Sequence, residues 1–573
     1  MNRNHPPRWA SLLLRWWSNP NTSEEVEGDL LELYNHWSQT VGRRKADWKY
    51  IFNVIKLLRP LAKRKNNYPS TYTYSPTMIR NYFKIAFRNL LKHKGYSFIN
   101  IFGLATGMAV AMLIGLWVWD ELSVNKAYQN YDRITKVMQN QNFNGEVQTW
   151  SGVPMQLAPE LRTAYGNNFK YVVISGFPGQ HLLSFGEKKI KQSGNYMDSE
   201  VTEMLSLKMV KGTRAGLQEP NSVLLSESVS KVIFGDADPM DKIIKIDNKQ
   251  IVKVTGVYKD LPHNSSFHDL SFIAPWELMA KDLPKWLGWG NNWFQTYAQI
   301  ADNTTPEKVS LKIKKAKQNN ISQDQDKYKP EIFLLPMSQW HLYSEFKNGI
   351  NTGGRIEFVW LFGIIGVFVL LLACINFMNL STARSEKRAK EVGIRKAVGS
   401  VKGQLIMQFF GESLLVVIFA FTLSLLLVLL SLPFFNEVVD KKITVLWTNP
   451  FFWLVCLGFI FITGLIAGSY PALYLSSFKP IKVLKGTFKL GRFASAPRKV
   501  LVVVQFTVSV TLIIGTVVVF RQIQFAKDRP IGYNRNRLLT SSIKTEEIIK
   551  HYSTFRDDLL NTGALEELAA TDR

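Results

Sequence analysis

The sequence predicts an α-helical membrane protein with a large extracytoplasmic α+β domain and a small helical cytoplasmic domain at its amino terminus. Three observations support that prediction. Five uncharged runs, Phe98 to Trp119, Phe358 to Phe377, Ser413 to Phe435, Phe451 to Leu475 and Val500 to Phe520, are long enough to span a bilayer, whose hydrocarbon core takes about 20 residues of helix. Lysine and arginine collect in alternate loops between these runs. The segment 120–357, between the first two, mixes helical and strand patterns.

Composition agrees. The 573 residues hold 70 Lys and Arg against 45 Asp and Glu, a net charge of +25, yet only 20% are charged and 46% are hydrophobic. That apolar content excludes disorder, and charge flanking apolar runs in place of an aromatic groove argues against a nucleic-acid partner. Cys374 and Cys456 both fall in apolar runs, so neither a disulfide framework nor a thiolate metal site is available. The apolar stretch Leu12 to Leu14 is too short for a cleavable signal and runs into Arg15, Trp16 and Trp17, which keeps the amino terminus in the cytoplasm.

Basic short loops stay cytoplasmic. The loop after the second run carries Arg384, Lys387, Arg388, Lys390, Arg395, Lys396 and Lys402; the one after the fourth carries Lys479, Lys482, Lys485, Lys489, Arg492, Arg498 and Lys499. Between the third and fourth, Lys441 and Lys442 are balanced by Glu437 and Asp440. The alternation places 120–357 and the tail 521–573 outside.

Residues 1–62 read as a small helical domain, with Thr22 and Glu25 at capping-box spacing. Val26, Leu30, Leu33, Tyr34 and Trp37 form one apolar series, and Trp48, Ile51, Phe52, Ile55 and Leu58 form a second. A polar linker follows at 63–78. In 79–97, Phe83, Phe87, Leu90 and Leu91 share a face while Lys84, Arg88 and Lys92 lie on another, the pattern of a helix lying in the membrane interface. The spans are 98–119, 358–377, 413–435, 451–475 and 500–520, with cytoplasmic segments at 378–412 and 476–499. Within 120–357, Lys242 to Tyr258 reads as a hairpin turning at Asp247, Asn248 and Lys249. Asn264, Ser265 and Ser266 match a weak sugar-acceptor pattern.

A faint repeat relates the first and fifth spans. Gly103, Gly107, Ala111 and Gly115 recur four apart in one, and Thr507, Thr511 and Gly515 in the other. Small residues at that spacing let helix backbones approach closely, which makes both ridges packing candidates, within the chain or between two chains. The sequence has no G-x-x-x-x-G-K-[ST], H-E-x-x-H or G-x-S-x-G motif, so it offers no phosphate-cradling loop, zinc helix or nucleophile elbow. His263 and His268 share no helical face and read as structural or surface residues. No acid or base occurs inside a span, and Glu412 lies only at an edge. Ion-coupled transport usually needs such a group at depth, so energy is expected from a partner.

The run RSEKRAKEVGIRKAVGSVKGQLIMQFFGES, Arg384 to Ser413, resembles the coupling segment of the FtsX-like and MacB-like permeases of ABC transporters. The residues matching that pattern are Arg388, Glu391, Gly393, Ile394, Arg395, Lys396, Gly399, Glu412 and Ser413, with Ser400 where alanine is common. AGSYPALYLSSFKPIKVLKG, Ala467 to Gly486, resembles the family's exit from its fourth span, including Pro471, Ala472, Pro480 and Lys485. SESVSKVIFGDADPMDK, Ser226 to Lys242, and VTGVYKDLPHNSSFH, Val254 to His268, resemble a MacB-type periplasmic core domain. PPRWASLLLRWW and EEVEGDLLELY resemble the permease prefix domain.

The resemblance implies a multi-pass permease subunit of the bacterial inner membrane, with its amino terminus cytoplasmic and its large domain periplasmic. It implies that a separate ABC ATPase holds ATP and Mg, that this chain binds no cofactor and is not the enzyme, and that Arg388, Glu391, Gly393, Ile394, Arg395, Lys396 and Gly399 dock that ATPase. A dimeric membrane assembly and a periplasmic adaptor are further expected partners. Expected cargo is a peptide, antibiotic or lipoprotein, exported or extracted at the outer face by mechanotransmission. The alternative is a transmembrane signalling scaffold regulating a periplasmic cell-wall hydrolase. Family members of this size class carry the spans in two copies, so 521–573 is expected to begin a second external domain.

Overall fold

A chain leaving water for hydrocarbon must close its backbone hydrogen bonds within itself, so long uncharged runs become helices. The computed structural model describes residues 6–7, 9–11, 23–58, 84, 86–383, 385–477, 496–529, 538–540 and 546–570. Among these, five helices are long and apolar enough to cross a membrane. They are Lys94–Ser123, Arg355–Ala383, Lys402–Val439, Pro450–Ser476 and Ala496–Asp528, here the first to fifth spans. The linker at 63–78, Thr22 of the capping box, and 478–495 with Pro480 and Lys485 lie outside the described residues.

Residues 1–79 form a unit of their own. Helices Ser23–Thr40 and Arg43–Leu58 meet at a turn where Gly42 takes a φ of +81°. Their core is Leu30, Tyr34, Ala46, Tyr50 and Val54, with Ala10. The Tyr34 and Tyr50 rings pack edge to face at 5.6 Å, and the Tyr34 hydroxyl donates to Asp47 Oδ1 at 2.7 Å. The buried face of the second helix differs from the expected one: Trp48 and Phe52 are exposed, while Ala46, Tyr50 and Val54 are buried. Spaced four apart, those three form a narrower stripe into which two tyrosines fit.

In the remainder of the chain, spans one to four bundle around Leu104, Ala105, Met108, Cys374, Phe377, Val417, Ala420, Phe421, Cys456 and Ala467. The first two spans run antiparallel with small residues interlocked. Gly103 faces Asn376, Gly107 faces Ala373, and Ile114 packs on Gly366. A Cβ at Gly107 would overlap the Ala373 methyl, so the close approach depends on glycine. The fifth span lies at the edge, touching the second through Gln505 Oε1, which accepts from Asn379 Nδ2 at 3.3 Å.

The external domain, between the first and second spans, is built on a sheet of twelve strands among the described residues. Ile134–Phe143 lies between Gln295–Ile300 and Glu331–Pro336, antiparallel to both. Thr135 opposes Pro336, so the strand entered from the first span and the strand leaving for the second lie side by side. Parallel pairs, Ser222–Ser226 with Gln250–Tyr258 and Phe272–Pro275 with Lys188–Met197, make the sheet mixed. The hairpin turns at Asp247 and Asn248, both at positive φ, with Ile246 opposite Gln250. Three residues, Asp247 to Lys249, thus make the turn, and aspartate and asparagine tolerate the positive φ it needs. In the tail, residues 538–540 are irregular where apolar Leu538 and Leu539 read as a strand, and a helix runs Tyr552–Asn561.

Candidate functional sites at the two ends of the bundle

At the end of the bundle away from the external domain, a helix runs Ser385–Ala397 between the second and third spans. Alternating charged and apolar residues on a short helix leave one narrow face to bury. Ala389 and Val392 pack with Leu405 and Phe409 of the third span and Ala472 and Leu475 of the fourth, and Gly393 is buried beside them. Arg395 Nη2 donates to Glu391 Oε1 at 2.6 Å, and its Nη1 to Gln408 Oε1 at 2.6 Å. Lys396 Nζ donates to the carbonyl of Ser476 at 2.7 Å. Arg395 and Lys396 therefore fasten this helix to the third and fourth spans.

Two apolar residues on the side away from the spans are open to solvent, one in the helix and one in the turn that follows it. Ile394 is 54% exposed and Val398 is 84% exposed, and a four-residue spacing aligns them on one side. Gly399 then takes a φ of +104°, a backbone that glycine enters without strain, and the chain reverses into the third span. Arg388 lies in the helix, with its side chain outside the described residues. Glu412 and Ser413 sit about three turns into the third span; Glu412 Oε1 accepts from Gln408 Nε2 at 3.3 Å, and Ser413 packs at Gly468 of the fourth span.

At the external end, the first span finishes in Asp120 and Glu121, and the Glu121 side chain is only 2% exposed. Its Oε2 lies 2.5 Å from His341 Nε2 of the external domain, and its Oε1 lies 2.7 Å from Lys441 Nζ in the loop between the third and fourth spans. Lys441 also reaches Asp120 Oδ2 at 2.5 Å. One acidic pair thus holds a span, a domain and a loop together. Next to it, Asn125 at φ +66° donates through Nδ2 to Ser266 Oγ at 2.9 Å and accepts from the Ser266 amide at 2.7 Å. Asn264 Nδ2 donates to Ser123 Oγ at 3.0 Å, and the Tyr128 and Ser265 hydroxyls lie 2.6 Å apart. The Asn264 to Ser266 triplet, read as a sugar-acceptor pattern, is here a joint between the domain and the first span. The His263 and His268 rings meet at 5.3 Å, and burial first, then His268 and Lys442, hold His263 below the usual imidazole range.

The small-residue ridges separate. Gly103 and Gly107 face the second span, whereas Ala111 and Gly115 line an apolar cavity between the first and fourth spans. On the fifth span, Thr511 Oγ1 donates to the Thr507 carbonyl, and Gly515 has open space around it. Neither ridge meets the other. Among the described residues, no group of three His, Cys, Asp or Glu could hold a metal.

Two segments match known families: residues 97–316 match the MacB-like periplasmic core domain, and residues 363–480 match the FtsX-like permease C-terminal domain. Over 265 residues the chain is 25% identical to the ABC transporter permease YknZ of Bacillus subtilis, covering 46% of this chain and 61% of that one. Over 435 residues it is 24% identical to the macrolide export ATP-binding/permease protein MacB of Chlorobaculum tepidum, covering 72% and 62%. The chain thus spans about six tenths of the length of these relatives. The periplasmic region of MacB from Actinobacillus actinomycetemcomitans aligns with 37% of this chain and 92% of its own, at 17% identity and a TM-score of 0.28.

Proposed function

Because this chain is an ABC-transporter permease of the FtsX/MacB-like family, we propose that it carries force from a partner ATPase to its external domain. In this reading ATP and Mg are held by the partner, which docks on Ser385–Ala397 and moves it as nucleotide binds. The third and fourth spans, tied to that helix, carry the motion to Lys441, and the Asp120, Glu121, His341 and Lys441 cluster delivers it to the external domain. The cargo is a peptide, antibiotic or lipoprotein handled at the outer face. Residues 1–62 serve as a cytoplasmic prefix domain, and the working assembly is dimeric.

The observation that supports this reading best is the two-sidedness of the short helix. Charged and small residues bind it to two spans, while Ile394 and Val398 remain exposed. Exposed apolar residues on a rigid element are the kind of anchor a partner pocket takes. Ile394→Asp with Val398→Asp should therefore abolish co-purification of the ATPase from membranes while leaving insertion intact. Unchanged co-purification would remove this helix as the docking element.

A further inference from the structure

We propose that the outward face of a four-strand section of the external domain docks an acidic partner protein. The strands pair antiparallel in the order Lys188–Met197, Gly179–Phe185, Ile243–Ile246, Gln250–Tyr258. Their other face buries Leu183, Ile244, Ile246, Val252 and Val254 in the core. Side chains directly opposite each other in a sheet share a face, so the register assigns the outward one. Lys189 opposes Ser184, Ser184 opposes Lys245, and Lys245 opposes Ile251, which makes one row across all four strands. Lys191 and Leu182 continue the face on one side of that row, and Ile243 and Lys253 on the other.

The four strands hold five lysines and no Asp or Glu. Residues 120–357 as a whole hold 28 Lys and Arg against 26 Asp and Glu, so the excess belongs to this section and not to the domain. Two of the five are engaged: Lys188 donates to the Ile233 carbonyl at 2.9 Å, and Lys253 lies 2.9 Å from Glu219 and 3.6 Å from Asp241. Lys189, Lys191 and Lys245 are exposed and form no ion pair among the described residues. Of the acids beside the strands, Asp247 is held by His181 at 2.6 Å, and Glu187 stands alone in the turn before Lys188. Lys189 and Lys245 lie two strands apart, roughly 10 Å, a spacing that carboxylates on a second surface can enter.

The rest of the face favours a protein over a polymer of phosphates. Ile243 is 62% exposed and Ile251 59% exposed, and both lie in the same rows as the lysines. A phosphate chain gives these side chains nothing to pack on, whereas a protein surface with carboxylates around an apolar centre covers them and meets the lysines at its rim. None of the four strands carries an arginine, the side chain whose planar fork matches phosphate. Nothing in the proposal depends on ATPase docking, so the two can fail separately.

The test uses the full chain in phosphatidylcholine nanodiscs and three fluorescent probes of matched charge: a short peptide alternating Glu and Leu, another alternating Glu and Ser, and inorganic polyphosphate. The Glu-Leu peptide should bind, and the Glu-Ser peptide about tenfold more weakly. Lys189→Glu with Lys245→Glu should lower Glu-Leu affinity about tenfold, Ile243→Ser with Ile251→Ser by as much, and Lys189→Arg with Lys245→Arg should preserve it. All four side chains are exposed, so melting should not move; if the glutamate pair unfolds, the serine pair decides. Parent-like peptide affinity in the glutamate pair, or in the serine pair, would overturn the face. Polyphosphate binding more tightly than the Glu-Leu peptide, and equally in the serine pair, would overturn a protein as the partner.

Discussion

The two ends of the bundle are built from opposite materials. At the inner end, Ser385–Ala397 buries Ala389 and Val392, fastens itself with bonds to Gln408 and the Ser476 carbonyl, and leaves Ile394, with Val398 just after it, bare. At the outer end, Glu121 is sealed from solvent with His341 and Lys441 as partners on two other elements. A buried charge tolerates little displacement of its partners, because each lost contact leaves it uncompensated. An exposed apolar pair costs little when vacant and gains area when covered. The inner end is thus suited to engaging and releasing, and the outer end to moving as one piece.

The largest effect should follow from breaking the outer cluster. Glu121→Ala leaves Lys441 with Asp120 alone and removes the carboxylate beside His341; loss of one partner from a buried ion network costs about 3 to 5 kcal/mol. Denaturant unfolding in detergent should show that loss, together with faster proteolysis between the first span and the external domain. Stability within 1 kcal/mol of the parent would mean the cluster is dispensable.

Next in size, Ile394→Asp should weaken ATPase binding by about 2 kcal/mol, roughly thirtyfold, if it is a central anchor. Because the side chain is exposed, the melting temperature should stay unchanged. A titration that shows both affinity and melting falling together would place Ile394 in the fold instead of the interface.

Gly107→Leu probes the connection between the ends. The first two spans approach through Gly107 against Ala373, and forcing bulk into such a contact costs about 1 to 3 kcal/mol. Crosslinking between residues 103 and 376 should fall, with docking retained.

The smallest effect concerns rigidity of the external domain. Lys317 is 2% exposed, donates to Gln139 Oε1 at 2.8 Å and Asn292 Oδ1 at 2.6 Å, and burial lowers its pKa from 10.5 to about 8. Below about pH 8 the folded and unfolded states both hold the proton, so pH leaves stability unchanged. From pH 8 toward 10.5 the unfolded chain keeps a proton that the folded one has lost, so stability rises with pH. Lys317→Met should flatten that rise in pH-dependent melting; a slope equal to the parent's would assign it to another group.

Much of the inner end could be read from sequence, and little of the outer. Uncharged runs announce spans by a one-dimensional rule, and the stretch Arg384 to Ser413 carries its pattern contiguously. The helix's buried and exposed sides follow from spacing once Ala389 and Val392 are set against Ile394 and Val398. The outer cluster joins residues 220 and 321 positions apart. Lys441 reads as one of two cations balanced by Glu437 and Asp440, and Asp120 and Glu121 read as the polar end of a span. Asn264 to Ser266 suggests sugar attachment until Asn125, 141 residues earlier, is seen bonded to it. The small-residue ridge on the first span was visible, but its partner was not: Ala373 and Asn376 carry no ridge of their own, and the repeat pointed to the fifth span.

The central claim is that motion entering at Ser385–Ala397 leaves through Glu121. A spin label on one exposed position of the external domain of each chain in the assembly, read by pulsed electron resonance in nanodiscs with the partner ATPase, tests it directly. ATP should change the distance distribution of a label pair across the external domains of a working assembly in the parent. In Glu121→Ala that change should vanish while the ATPase stays bound. An ATP-dependent change of equal size in Glu121→Ala would show that force reaches the external domain by another route.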